Sequence, residues 1–271
     1  MNKKKYNLVG NQFTHLTNGN RGYSVHGKES KYIEWVKDGG DDTFYLETSI
    51  KRGITEKRDG FKYLWLLESK SIKPKIVESI IKNRKLVEDN FEIIFTHDQR
   101  LLKLGKKYKW VPANGFWIKN PRIYDKSKMI SMISSNKNFT EGHKARLGWV
   151  EILRDQLDLY GRGFNEIKNK EEGLCDYMFS VAIENAQYET YFTEKILDCF
   201  ATGTIPIYFG APDIGNYFNL DGIINLSKKF DISEEIYHSK IKAVKDNLER
   251  VKKMEIIEDF IWENYLNGEY E

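Results

Sequence analysis

Cysteine is nearly absent from this chain: two thiols in 271 residues, Cys175 and Cys199, in no metal-ligand spacing. That excludes a thiolate zinc site; the two could pair with each other, but two buried thiols in a reducing compartment are the expectation. Histidine is also sparse. His15, His26, His97, His143 and His238 are scattered, with no H-x-x-x-H or H-E-x-x-H pair. No two aspartates stand at i, i+2, so an aspartate clamp for a divalent cation is missing and no metal is expected. No run approaches the roughly 18 apolar residues of a membrane span, and no transmembrane segment is expected. The basic start MNKKKYNLVG leads into no signal-peptide core. A net charge of +3, with basic residues spread rather than grouped, argues against a nucleic-acid partner. Gly161 and Gly163 make no dinucleotide fingerprint, because Glu166 stands where the third glycine would be. Tandem repeats and low-complexity tracts are absent. The expectation is a soluble cytoplasmic protein, able to touch the inner face of a membrane through lysine-rich faces.

What is present is material for cores: 40% apolar and 14% aromatic residues, with 31% charged residues for solvated faces. The length suits one large α/β domain or two smaller ones sharing a cleft. Strands are expected at 6–13, 43–50, 61–67 and 91–96 and a short helix at 98–104, and 108–113 closes the first half. The near-continuous apolar run FKYLWLL (61–67) suits a strand buried on both faces of a parallel sheet. Between them, 28–38 puts Tyr32, Ile33, Trp35 and Val36 on one helical face, and Pro74 opens a helix with Ile76, Val77, Ile80 and Ile81 inward. After a linker at Asn114–Lys126, a second alternation begins. It has strands at 128–134, 157–160, 178–184 and 204–209, and helices at 141–156, 193–202, 232–250 and 255–266. Two Rossmann-like halves, 1–120 and 121–271, describe an α/β architecture of the GT-B type. Ligands then bind at the carboxyl ends of strands, in the crevice between the halves.

One block, Phe179 to Phe218, carries the most chemistry. It reads as strand, polar loop, helix, strand, glycine turn and helix start, a place where such a sheet offers donors to an anionic ligand. Thr193 precedes a helical face of Ile196, Leu197, Phe200 and Ala201, which makes it an N-cap. Glu194 and Lys195 fall in the first turn. Glutamate suits the positive helix N-terminus and lysine does not. A lysine placed against that preference fits a nearby phosphate, and it fits equally a solvated, exposed turn. Glu184, Asn185 and Tyr191 offer a carboxylate, an amide and a hydroxyl to sugar hydroxyls or a base edge. The alternative for Asn185 is to tie its loop to the backbone. Gly203, Gly210 and Pro212 read as turn chemistry. His143 reads as a surface residue, and NKNKEEG around Lys170 as a solvated loop.

The block resembles glycosyltransferase family 10, the α-1,3/1,4-fucosyltransferases. FSVAIEN (Phe179–Asn185), YFTEK (Tyr191–Lys195) and TIPIYFGAP (Thr204–Pro212) stand in the family's order and spacing. Upstream, MISMISSN (Met129–Asn136), Arg146 and DLYGRG (Asp158–Gly163) are similar to the family's strand, arginine-bearing helix and glycine turn. In the first half, YLWLLES (Tyr63–Ser69) puts Glu68 where the family carries a glutamate, without the glycine and asparagine of the family's turn. The resemblance implies an inverting transferase with a GDP-fucose donor, a glycan acceptor and no metal cofactor. It makes the first half the acceptor side and the second the donor domain. It implies that Arg146 and Lys195 neutralise the pyrophosphate and that Glu194 bonds the ribose or the fucose. Asn185 and Tyr191 would shape the donor pocket, and Glu68 would be the general base. Such a division suits an oxocarbenium-like transition state, in which charge grows on the departing phosphate. Three alternatives stand beside it. Glu68 pairs with Lys70 or caps a helix, and Arg146 sits in a surface ion pair. The donor is a different nucleotide sugar. The chain binds such ligands without catalysis.

Overall fold

The computed structural model describes residues 2–10, 28–68, 73–139 and 141–268. The chain divides into two compact units, Met1–Gly115 with Ile256–Glu271, and Phe116–Glu255. Each has the Rossmann-like build expected of it.

The first unit holds a six-stranded parallel sheet of β1 (Lys4–Val9), β2 (Ile33–Val36), β3 (Asp42–Leu46), β4 (Lys62–Trp65), β5 (Ile93–Thr96) and β6 (Tyr108–Trp110), in the order β2-β1-β3-β4-β5-β6. Its helices are α1 (Ile50–Thr55), α2 (Pro74–Lys82), α3 (Arg84–Glu88) and α4 (Gln99–Leu102). The sheet is buried on both faces. Tyr6, Phe44, Trp65 and Phe95 fill one side, while Tyr45, Leu64, Phe91 and Ile94 fill the other. Burying each such side chain is worth about 1.5–3 kcal/mol, which is why these strands read as apolar runs rather than alternations.

The helix expected at 28–38 is instead the strand β2. Four apolar residues at 32, 33, 35 and 36 satisfy a helical stripe, but the string is short enough to satisfy alternation as well. Ile33 and Trp35 point into the core, at 2% and 6% exposure, and β1 supplies the parallel partner. In α2, Pro74 does take the first turn, and Val77 and Ile80 are inward, but Ile81 is exposed. The expected strand at 6–13 runs to Val9; residues 11–13, like His15, His26 and Lys70, lie outside the described residues.

The sequence also placed 121–271 in one half. The structure puts the boundary at 115/116 and returns 256–271 to the first unit. The cause is the apolar face of α9 (Ile257–Ile261), whose Ile257 and Ile261 are fully buried with Tyr6, Phe44 and Trp65. Polar ties agree: Ser30 donates to Asp259, and Trp35 Nε1 donates to Glu258 at 3.1 Å.

The second unit holds a five-stranded parallel sheet of β7 (Lys128–Ile133), β8 (Asp158–Tyr160), β9 (Tyr177–Ile183), β10 (Ile205–Phe209) and β11 (Ile224–Asn225), in the order β11-β10-β9-β7-β8. Around it lie α5 (Glu141–Leu153), α6 (Glu194–Thr202), α7 (Glu234–Ser239) and α8 (Ile241–Lys252). The helix expected at 232–250 is these last two, broken at Lys240, where ψ is 3°. Every residue of β9 is buried. Gly203 ends α6 in the left-handed conformation, φ 70°, which its lack of a Cβ makes inexpensive. Among the described residues no helix is long and apolar enough to cross a membrane.

Counted within its own unit, each sheet has the strand order 2-1-3-4-5, extended by one strand in the first. In such sheets the order reverses beside the first strand, and the crevice at the carboxyl ends there is the ligand position.

Candidate active site

In the second unit that crevice is a cavity of about 420 Å³. The carboxyl ends of three strands form its rim: Ser134 and Ser135 after β7, Gly161 and Arg162 after β8, Asn185 after β9. Two helices close it, α5 through His143 and Arg146, and α6 through Glu194, Lys195 and Asp198.

Arg146 is 5% exposed. One guanidinium nitrogen donates to Asn185 Oδ1 at 3.1 Å, and another donates to Ser135 Oγ at 3.3 Å. Its Nε is buried without a hydrogen-bond partner. Burial pulls the guanidinium pKa below its ordinary value, against the pull of Glu184 and Glu194. This is not a surface ion pair. The first turn of α5 is brought against β9 by Gly142, where any Cβ would run into the Asn185 carbonyl. That close approach sets Arg146 beside Asn185.

The front of α6 is built as its sequence suggests. Thr193 is the N-cap and accepts from the Lys195 amide. Lys195 Nζ then reaches Thr193 Oγ1 at 3.0 Å, Glu184 at 3.3 Å and Glu194 at 3.5 Å. Burial works against the ammonium, but Glu194 and Glu184 outweigh it and its pKa lies above the ordinary value. Burial likewise works against the Glu194 carboxylate, yet Lys195 and Lys170 bring its pKa down to about 2. The charge at the helix N-terminus is therefore an interleaved set of cations and carboxylates, each keeping the other ionised.

Glu184 does not offer itself to a sugar. Its carboxylate accepts from the Thr193 amide at 2.8 Å and the Thr193 hydroxyl at 2.6 Å, which fastens the loop to the helix start. Tyr191 stacks on Tyr188 with ring centres 4.8 Å apart, outside the residues that line the cavity. So Arg146, Asn185, Glu194 and Lys195 meet in one wall, and Tyr191 stands apart from it.

Three lining residues were misread or missed. His143, expected on the surface, is buried in the wall; burial first, then Arg146, Lys137 and Lys195, lower its pKa. Lys170, expected in a solvated loop, lies in the wall as well, its Nζ 4.2 Å from the Trp117 ring centre. That ammonium meets Asp198 Oδ2 at 2.5 Å. Asp198 also accepts from the Trp117 amide, and burial raises its pKa to about 6 despite Lys170. The spacing of Glu194 and Asp198, four apart on one helix face, was the available signal.

At the rim of the first unit, Glu68 follows β4, half-buried. Burial raises its pKa, Glu47 adds to the rise, and Lys73 opposes it. Glu47, absent from the sequence reading, is 4% exposed. It accepts from the Leu67 and Glu68 amides and from Lys73 Nζ at 2.9 Å. Among the described residues no group of three or more His, Cys, Asp and Glu side chains is placed to hold a metal ion.

Residues 123–254 match the model of glycosyltransferase family 10 (fucosyltransferase), C-terminal part, which is nearly the whole second unit. That unit belongs to glycosyltransferase family 10. The chain is similar to an α-(1,3)-fucosyltransferase of Helicobacter pylori, with 44% identity over 71 residues, 26% of this chain and 15% of that protein. Matched stretches span less than a third of the curated relatives, 14% of an α-(1,4)-fucosyltransferase of Arabidopsis thaliana for example. In fold, 98% of the chain and 91% of a solved α1,3-fucosyltransferase with GDP superpose at TM-score 0.51 and 15% identity. The GT-B type of two Rossmann-like units is thus shared along the chain, while the family's sequence pattern is carried by the second.

Proposed function

We propose that the chain transfers fucose from GDP-fucose to a hydroxyl of a glycan, with inversion at the sugar carbon. The observation that carries this is Arg146. A guanidinium buried at the switch point of a family 10 unit, with one donor nitrogen unsatisfied, is costly unless an anion meets it. A diphosphate supplies that anion, and Lys195 at the N-terminus of α6 supplies a second cation for it.

In this reading Arg146 and Lys195 hold the diphosphate, and Glu194 accepts hydrogen bonds from hydroxyls of the donor. Asn185 fixes Arg146, and Tyr191 supports the loop that carries Asn185. The bond between the fucose anomeric carbon and the phosphate oxygen breaks, and its electron pair leaves with GDP. The acceptor oxygen bonds to that carbon as its proton passes to the Glu68 carboxylate. The raised pKa of Glu68 makes it a better base than an exposed glutamate. The cations gain interaction as charge collects on the leaving phosphate, so they raise the rate and not merely the affinity. No step calls on a metal ion. The acceptor class is a surface glycan such as a lipopolysaccharide.

A calorimetric screen of GDP-fucose, GDP-mannose and UDP-sugars, followed by assay of GDP release with lacto-type acceptors, tests the reading. GDP-fucose is expected to bind tightest and to release GDP only with acceptor present. Preference for another nucleotide sugar would reassign the donor. Failure to bind any of them would remove the proposal.

A further inference from the structure

Lys170, a charged group in the cavity wall, has no part in that scheme. Lys170 opens a short 3-10 turn, Lys170–Gly173. The turn is fixed from its start, because Glu172 accepts from the Asn169 amide at 2.9 Å and the Lys168 amide at 3.0 Å. From there the ammonium sits over the Trp117 ring and between two carboxylates of α6, Asp198 at 2.5 Å and Glu194 at 3.8 Å. Asp198 is 1% exposed and cannot turn to solvent. Two carboxylates four apart on one helix face repel, and a cation between them converts the repulsion into a brace. On its other side Glu194 is drawn by Lys195. Its carboxylate is held between two ammonium groups, one from its own helix and one from the 3-10 turn.

We infer that Lys170 is a positioning residue of the donor pocket, which sets the direction of the Glu194 carboxylate by bracing it against buried Asp198. The inference rests on the reading of Glu194 as a donor contact. Without Lys170, Glu194 swings toward Lys195 and away from Asp198, and its hydrogen bonds to the donor are lost.

The test is a double-mutant cycle read by GDP-fucose calorimetry. Lys170→Met is expected to weaken GDP-fucose about tenfold and Lys170→Arg to restore most of the loss, since coupled neighbours depart from additivity by such amounts. The double variant Lys170→Met/Glu194→Gln is expected to bind no worse than Glu194→Gln alone. Effects that multiply, or a Lys170→Met protein that binds like wild type, overturn the inference. If Lys170→Met does not fold, Asp198→Asn removes the anchor with little change of shape. The same loss is expected of it, and wild-type affinity there overturns the role just as well. Wild-type protein that fails to bind GDP-fucose sinks the proposed function itself, which a silent Lys170→Met variant does not.

Discussion

The two units share a topology and differ in what they put at its carboxyl-end rim. In the second unit the rim gathers Arg146, Lys195 and Lys170, with Glu184, Glu194 and Asp198 threaded between them. In the first it gathers the carboxylates Glu47 and Glu68, with Lys73 beside Glu47. The same strand order has thus been given two electrostatic tasks. One rim interleaves its cations, of which Arg146 is buried, with carboxylates. The other holds a carboxylate whose proton affinity is raised by burial and a like charge. A fold of this kind fixes where a site lies, and the side chains at that place decide what it does.

The contrast breaks most visibly at Glu68. Glu68→Gln is expected to lower kcat by about a thousandfold, within the range a positioned base contributes, while GDP affinity by calorimetry stays near wild type. Activity that survives the change would leave the first rim without its task. Arg146→Met comes next and should do the opposite. Loss of charged hydrogen bonds to a diphosphate is expected to weaken GDP binding about a hundredfold. A variant that kept its GDP affinity and lost only turnover would blur the division between the rims. Smaller still is Glu47→Gln. Removing the neighbouring charge lowers the Glu68 pKa, and Lys73, no longer facing a full carboxylate, pulls it the same way. Because the base acts ionised, the acidic limb of the kcat profile should move to lower pH. A limb that stays in place would mean that Glu47 holds backbone only.

Much of the second unit was legible because its signals are local. Thr193, Glu194 and the apolar face behind them define a helix start within ten residues, and β9 is a continuous apolar run. The residues misread there depend on what lies across the fold. Glu184 looks available in sequence and is spent on Thr193. Lys170 looks solvated, and only α6, more than twenty residues on, shows why it is not. In the first unit the failures have two causes. β2 is too short for a helical and an alternating pattern to be told apart. The helix expected at 255–266 is there, as α9 and the π-helical turn Trp262–Leu266, but periodicity says which face is apolar and not which sheet it covers. Glu47 gave no signal, since a strand-end glutamate that turns inward reads like one that turns out.

The least effect on catalysis, and the sharpest on the first unit itself, is expected at His97. It follows β5, is 2% exposed, and burial lowers its pKa to about 4 in spite of Asp98. An unfolded histidine titrates near 6.5. As pH falls below that value the unfolded chain takes up a proton that the folded one refuses, so folding stability is full above about pH 6.5 and declines toward pH 4. A shift of this size corresponds to about 3 kcal/mol across the window. His97→Gln cannot take up that proton. Whatever it does to stability at neutral pH, its melting temperature should fall less steeply than that of wild type between pH 6.5 and 4. Equal slopes would show that this imidazole is protonated in the folded protein, and that the first rim buries charge of both signs as the second does.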